Sequence, residues 1–188
     1  MNGLINLMML SVTRPQEAAA ELLGLNLSRE VAWLLLGAAT VLSVIATFVV
    51  SGGNAAQVVH GVPAFSPLML ALFLGCSSVV MGYAIHFTGN AMDGTGNLTN
   101  SILVVAWLQV LQFAGLLIQG VALTISVSFS AMLGFVIGMA LFFWVFPSFL
   151  KVLHGFASMG RAALLMLFVI VGIGLGLTLI LGFIGVGM

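Results

Sequence analysis

The sequence predicts an all-helical, polytopic membrane protein, and three observations carry that reading. Charged residues make up only 4% of the 188, against about 25% in a soluble domain. Hydrophobic residues reach 62%, with a mean hydropathy of +1.32. The apolar runs also have the length of membrane-crossing helices, roughly 20 residues for a hydrocarbon core of about 30 Å. With 23 Gly against one Tyr, the chain has the small-residue bias of packed membrane helices and lacks the aromatic girdles of an outer-membrane barrel. The formal net charge is +0 and no basic run is present, so the electrostatic footprint needed for nucleic acid is missing. Cys76 is the single cysteine, which leaves neither an internal disulfide nor a thiolate metal cluster.

The elements follow in chain order. Residues 1–10 are apolar but too short to cross, and with no basic segment ahead of them they do not read as a cleaved secretory signal, so they are expected to persist. Thr13, Pro15 and Gln16 form a capping pattern that predicts a short helix from Thr13 to Leu25. Glu17 and Glu21 share one face of it and Ala18, Leu22 and Leu25 another, as in a helix lying in the interfacial plane. It reads either as a docking helix that shields the bundle or as a partner-recognition helix. Residues 1–30 thus form an N-terminal interfacial segment ahead of a membrane domain, 31–188, with spans at about 31–50, 67–87, 101–123, 129–147 and 162–186. Ser28 is positioned to cap the first span, and Pro67 suits the first turn of the second. The uncharged stretch 101–147 is about twice the length of one crossing and is expected to fold back near residues 124–130. Pro147 is expected to end the fourth span, with a connector over 148–160.

Orientation follows from the same assignment. Arg14, Arg29, Lys151 and Arg161 all fall on one side of a five-span chain, and Trp33, Trp107 and Trp144 lie toward it. Basic residues accumulate in cytoplasmic loops and indoles at the interface, so the N-terminus is expected in the cytoplasm and the C-terminus opposite.

No Lys, Arg, Asp or Glu lies deep in a span, which argues against a charged pump, since ion and proton pathways depend on ionisable groups. Weaker polar stripes exist. Thr40, Ser43 and Thr47 share a face of span one, and Gln109, Gln112 and Gln119 lie within about a quarter-turn of one another on span three. They read either as hydrogen bonds between helices, roughly 0.6 to 2 kcal/mol each, or as the lining of a polar path or ligand cleft. Gly134 and Gly138 form a G-x-x-x-G pair in span four, and Gly172, Gly174 and Gly176 recur in span five; internal helix packing is expected for both sets. His86, His154 and Asp93 are placed to meet at one surface as a metal site, but no ligand-spacing motif backs this, and solvated or interfacial histidines are the ordinary expectation. Ser158 sits in a near miss of a nucleophile motif with His154 four residues away, and catalysis is not expected. No cofactor is expected. The sequons at Asn26 and Asn97 fall on the cytoplasmic side and read as chance matches.

Arg14-Pro15-Gln16-Glu17-Ala18 is similar to a proline-led amphipathic helix ahead of a first span, and Gly94-Thr95-Gly96-Asn97-Leu98 is a glycine-containing inner loop leading into Ser101-Ile102-Leu103-Val104-Val105-Ala106. In that order, with five spans and an inward N-terminus, nearly the whole chain resembles the YIP family, the Ypt/Rab-interacting five-span membrane proteins and their bacterial relatives. Two departures stand out: residues 112–118 lack the proline usual in the family's third span, and the long acidic cytosolic arm with its Tyr-Gly-Pro type motif is missing. A role with Rab-type GTPases is therefore not carried over, and the resemblance implies a short-armed bacterial-type relative in the inner membrane. The function expected is that of a non-enzymatic membrane-organising, scaffold or accessory subunit. It would act through the lipid bilayer and through a membrane-protein partner or a second copy. The alternative is a small channel or transporter for a neutral solute, lined by Gln109, Gln112, Gln119 and the Thr40, Ser43, Thr47 stripe.

Overall fold

The computed structural model describes residues 2–50 and 66–184, without the side-chain surroundings of residues 2, 177 and 179–184; His60 lies outside the described residues. Among the described residues all regular structure is helical: α1 (Asn2–Thr13), α2 (Pro15–Gly24), α3 (Arg29–Val50), α4 (Pro67–Ala91), α5 (Leu98–Leu123), α6 (Val127–Ala140), a π-helical turn (Leu141–Val145), α7 (Phe146–His154) and α8 (Met159–Ile184). Among the described residues five runs are long and apolar enough to cross a membrane: Arg29–Val50, Pro67–Ala91, Leu98–Leu123, Val127–His154 and Met159–Gly176.

Local chemistry sets the helix starts. Ser66, Asn97 and Ser126 each accept a backbone N–H from the third residue on, at 3.2, 2.8 and 3.0 Å, so α4, α5 and α6 open on a side-chain cap. Asn97, read from sequence only as a sequon, is one of these caps. Thr13 is not one. It closes α1, with its hydroxyl donating to Met9 O at 3.0 Å, and α2 starts at Pro15 with no side-chain cap on Arg14. The break comes from Pro15 itself, which drives the residue before it out of the helical region: Arg14 has φ −138 and ψ 69. Leu25 lies past the end of α2 and is exposed, while Ala18 and Leu22 are buried as the pattern predicts.

Pro147 does not end the fourth span. The helix runs on to His154, because the turn before the proline widens: Phe146 N–H reaches Leu141 O, five residues back. A proline inside an α-helix lacks a donor and collides with the carbonyl four residues earlier, and a π-bulge supplies the extra room. Ser148 Oγ donates to Trp144 O at 2.7 Å, which satisfies one of the carbonyls at this turn. The true stop is Gly155, left-handed at φ 66, with Phe156 N–H returning to Lys151 O at 3.0 Å, a C-terminal motif that glycine favours.

α5 is the central helix, packed on α3, α4 and α6; α2 rests on α7, and α8 on α4 and α7. All four basic and all four acidic residues belong to α2, the α1–α2 junction, the first turn of α3, the α4–α5 connector, α7 and the start of α8, which together form one charged end. Residues 101–107 of α5 and 145–150 are buried there without a break. Toward the other end, Val41, Ile45, Val49, Leu68, Leu72, Phe135, Val136 and Leu175 stand exposed, as side chains do when lipid is the solvent.

The expected packing glycines are largely not the packing ones. Only Gly134 meets a neighbour, the Gln119 side chain; a Cβ added at Gly138, Gly172, Gly174 or Gly176 would meet nothing within 4 Å. α8 is held through Ala162, Leu165, Met166 and Val169, and Gly172, Gly174 and Gly176 come after those contacts. Close approach is made instead at Gly82 against Ile102, Gly115 against Ile137 and Gly89 against His154.

Candidate functional site

Two cavities lie side by side between the spans. One, of about 410 Å³, is walled by α4, α5, α6 and the π turn and includes Ser77, Ser78, Gln109, Gln112, Gln119 and Gly134. The other, of about 340 Å³, lies between α3, α4 and α5 and includes Thr40, Ser43, Thr47, Gln109 and Gln112. Gln109, Gln112, Leu74 and Leu116 belong to both. The two polar stripes of the sequence therefore face a common region.

Their members do different things there. Gln109 ties three helices: Thr40 Oγ1 donates to its Oε1 at 2.9 Å, and its Nε2 donates to Ser78 Oγ. Ser78 Oγ in turn donates to Leu74 O at 2.7 Å, and the single Thr40 hydroxyl proton is shared between Gln109 Oε1 and Leu36 O, the latter 2.8 Å away. Thr47 Oγ1 donates to Ser43 O at 2.8 Å. Gln119 lies over Gly134 and reaches Gly115 O at 3.4 Å. Three side chains are left among the described residues: Ser43, Gln112 and Ser77, the last an exposed serine at the edge of the larger cavity. Ser43 Oγ is 9% exposed at the residue level and has no partner, and Gln112 makes no side-chain hydrogen bond among the described residues while facing both cavities. Ser78 was not picked out from the sequence; a serine paired in depth with a glutamine on the next span was the available signal.

At the charged end the histidines form a clamp. His154 is 1% exposed, its ring stacked on Phe156 with centroids 5.4 Å apart. Gly96 N–H donates to His154 Nδ1 at 3.3 Å, and Thr95 N–H donates to His154 O at 3.2 Å. The acceptor role of Nδ1 places the ring proton on Nε2, which is buried and unpaired. His86 Nδ1 lies 3.1 Å from Gly96 O and, facing a carbonyl, carries the donor proton. One residue, Gly96, is thus held from both sides, through its N–H by His154 and its carbonyl by His86, which joins α4, the α4–α5 connector and α7. The cradle is made of glycine: a Cβ at Gly94 or Gly96 would lie 2.6 or 2.7 Å from the His154 ring, and one at Gly89 would overlap it.

This corrects the expectation of solvated or interfacial histidines for His154. Asp93 is exposed, in a left-handed backbone conformation at φ 64, and no group of three metal-ligating side chains occurs among the described residues. No hydrogen bond joins Ser158 to His154; Ser158 Oγ instead accepts Arg161 N–H at 3.4 Å, at the start of α8.

The N-terminal helices are fastened to the same end. Trp107, fully inside the bundle at 3% exposed, donates from Nε1 to Ser11 Oγ at 2.9 Å, and Trp144 Nε1 donates to Val12 O at 3.1 Å. Gln16 accepts from Lys151 Nζ at 3.2 Å. These tryptophans, expected as interfacial anchors, hold α1.

No curated protein and no solved structure matches the chain. The family model of the Yip1 domain does, over residues 9–181, from the last turn of α1 through the helices that build the clamp and the cavities, and the chain belongs to the YIP family.

Proposed function

We propose that this YIP-family membrane protein is a non-enzymatic scaffold or accessory subunit that organises the bilayer through lipid and helix contacts. The observation that carries the reading is α1. Its 12 residues make a rod about 18 Å long, short of the hydrocarbon core of about 30 Å. Leu7 and Ser11 face the bundle, while Leu4, Ile5, Met9 and Val12 are exposed. A helix pinned to the bundle by two indoles, with an apolar face turned outward, occupies one leaflet only and displaces lipid on that side. The rest of the bundle is consistent with such work, since Thr40, Ser78 and Gln109 join helices to one another.

The clustering of all four basic residues at one end supports a cytoplasmic N-terminus and a C-terminus opposite. A side-sensitive reporter fused after Gly53, after Asp93 and at Met188 is expected to read outside, inside and outside. The function itself is tested by reconstituting the full chain in vesicles and measuring their diameter. The wild type is expected to narrow the size distribution, and a variant with Leu4, Ile5, Met9 and Val12 replaced by serine is expected to lose that effect. A wild type that leaves vesicle size and shape as in protein-free controls overturns the reading.

A further inference from the structure

Going beyond that reading, we propose that the two cavities flanking Gln112 form one site for a neutral lipid that carries a free hydroxyl, of the diacylglycerol kind. Three observations converge on this class. First, Ser43 Oγ is an unpartnered polar group, more than nine-tenths buried, on the wall of the smaller cavity, and a buried hydroxyl without a partner is an exception that calls for one. Gln112, also unpaired among the described residues, stands where the two cavities meet. Together they offer a donor and acceptor pair to a hydroxyl and its neighbouring ester.

Second, neither cavity has a charged side chain on its wall; the remainder is Leu74, Leu108, Leu116, Ile137, Phe142 and similar apolar groups. An ionic headgroup has nothing to pair with there and is costly to bury. Third, the free polar groups are deep. Gln112 lies about 21 Å along α5 from Leu98 and about 16 Å from Leu123 at 1.5 Å per residue, near the middle of the span. A phospholipid keeps its headgroup at the interface, whereas a hydroxyl lipid can sink this far. The volumes, about 410 and 340 Å³, are in the range of small-molecule sites, about 300–1,000 Å³. The larger cavity is edged by the exposed residues Ser77, Gly138 and Phe142, so a lipid can enter sideways.

The rival occupant is a file of water or a small polar solute. A buried water needs two to four polar partners, and Thr40, Thr47 and Ser78 have already given their one hydroxyl proton to protein acceptors, as has one of the two Gln109 Nε2 protons. Ser43 and Gln112, with Ser77 at the edge, are too few for a continuous polar path, but they suffice to orient one amphiphile.

The test uses the full chain in phosphatidylcholine vesicles with a diacylglycerol bearing a diazirine on its acyl chain, beside a phosphatidylcholine bearing the same chain. The diacylglycerol probe is expected to label α4, α5 and α6 around Leu74, Leu116 and Ile137, and excess unlabelled diacylglycerol is expected to compete. Ser43→Ala and Gln112→Leu should each weaken that labelling about 2- to 10-fold, the worth of one hydrogen bond, with thermal unfolding unchanged. If either variant fails to fold, competition on the wild type by diacylglycerol against phosphatidylcholine decides. Equal cavity labelling by both probes, or labelling indifferent to both substitutions, overturns the proposal. So does glycerol flux through proteoliposomes that Gln112→Leu abolishes, which would make the cavities a solute path.

Discussion

Along α5, residues 101–107 are enclosed on every side, whereas further down the same helix Gln112, Leu117, Ile118 and Val121 are exposed. The fourth span shows the same contrast in reverse order, since within α6 only Ser130 is buried while residues 145–150 are buried without a break. One helix thus belongs to two environments. At the charged end α1, α2 and α7 wrap the spans, and packing there follows the close-packed logic of a soluble core. Toward the other end the neighbours are lipids, which impose no fixed shape. The difference teaches where specificity is stored: the charged end has a single well-determined arrangement, and the far half retains room for a ligand.

The largest cost comes from emptying the clamp. His154→Ala removes a filled ring and leaves Gly96 N–H without its acceptor. The sum of cavity and unpaired-donor terms is about 3 kcal/mol or more, measured as a loss of stability to denaturant in detergent micelles. Gly89→Ala comes next. Its new methyl would occupy the His154 ring, and overpacking of this kind costs about 1–3 kcal/mol, offset in part by about 1 kcal/mol of helix propensity. Each change makes room for the other, so the double variant is expected to be more stable than the sum of the single losses. Strict additivity would show that the ring and the glycine do not share space, and would break the account of the charged end.

Much of the fold was legible in the sequence, because scarcity of charge and the length of apolar runs are set by the bilayer and need no tertiary knowledge. Span edges were less so. Pro147 reads as a stop by local rules, and only the π turn, which depends on the packing of residues 145–150, lets the helix continue. The stripes at Thr40, Ser43, Thr47 and at Gln109, Gln112, Gln119 were visible as helical faces. Which members are satisfied and which are free was not, because Ser78 and Gly134 come from other helices. The clamp was least legible. Gly89, Gly94 and Gly96 look like loop residues in one dimension, and their use as a socket appears only when α7 brings His154 between them.

The tie between α1 and the bundle sharpens the comparison at its border. Trp107→Phe keeps most of the buried ring but loses the hydrogen bond to Ser11, at a cost of about 1 kcal/mol. The loss is expected to be local. With Cys76 replaced by serine, a cysteine placed at Leu7, on the face of α1 turned to the bundle, should react faster with a maleimide, while the clamp, followed by protease resistance of the α7–α8 turn, stays closed. Loosening at both places would mean that the charged end unfolds as one unit.

The smallest effects are expected in the far half, and their ranking separates structural amides from free ones. Gln109→Leu breaks a bond to each of two helices, yet Thr40 and Ser78 keep their backbone acceptors at Leu36 and Leu74, so the loss is near the membrane average of about 0.6 kcal/mol. Gln112→Leu breaks nothing within the described chain and should leave stability within about 0.5 kcal/mol of the wild type. Both are read by unfolding in the same detergent. If Gln112→Leu costs as much as Gln109→Leu, then Gln112 also serves the bundle, and the division between a fixed charged end and an adaptable far half has been drawn at the wrong residue.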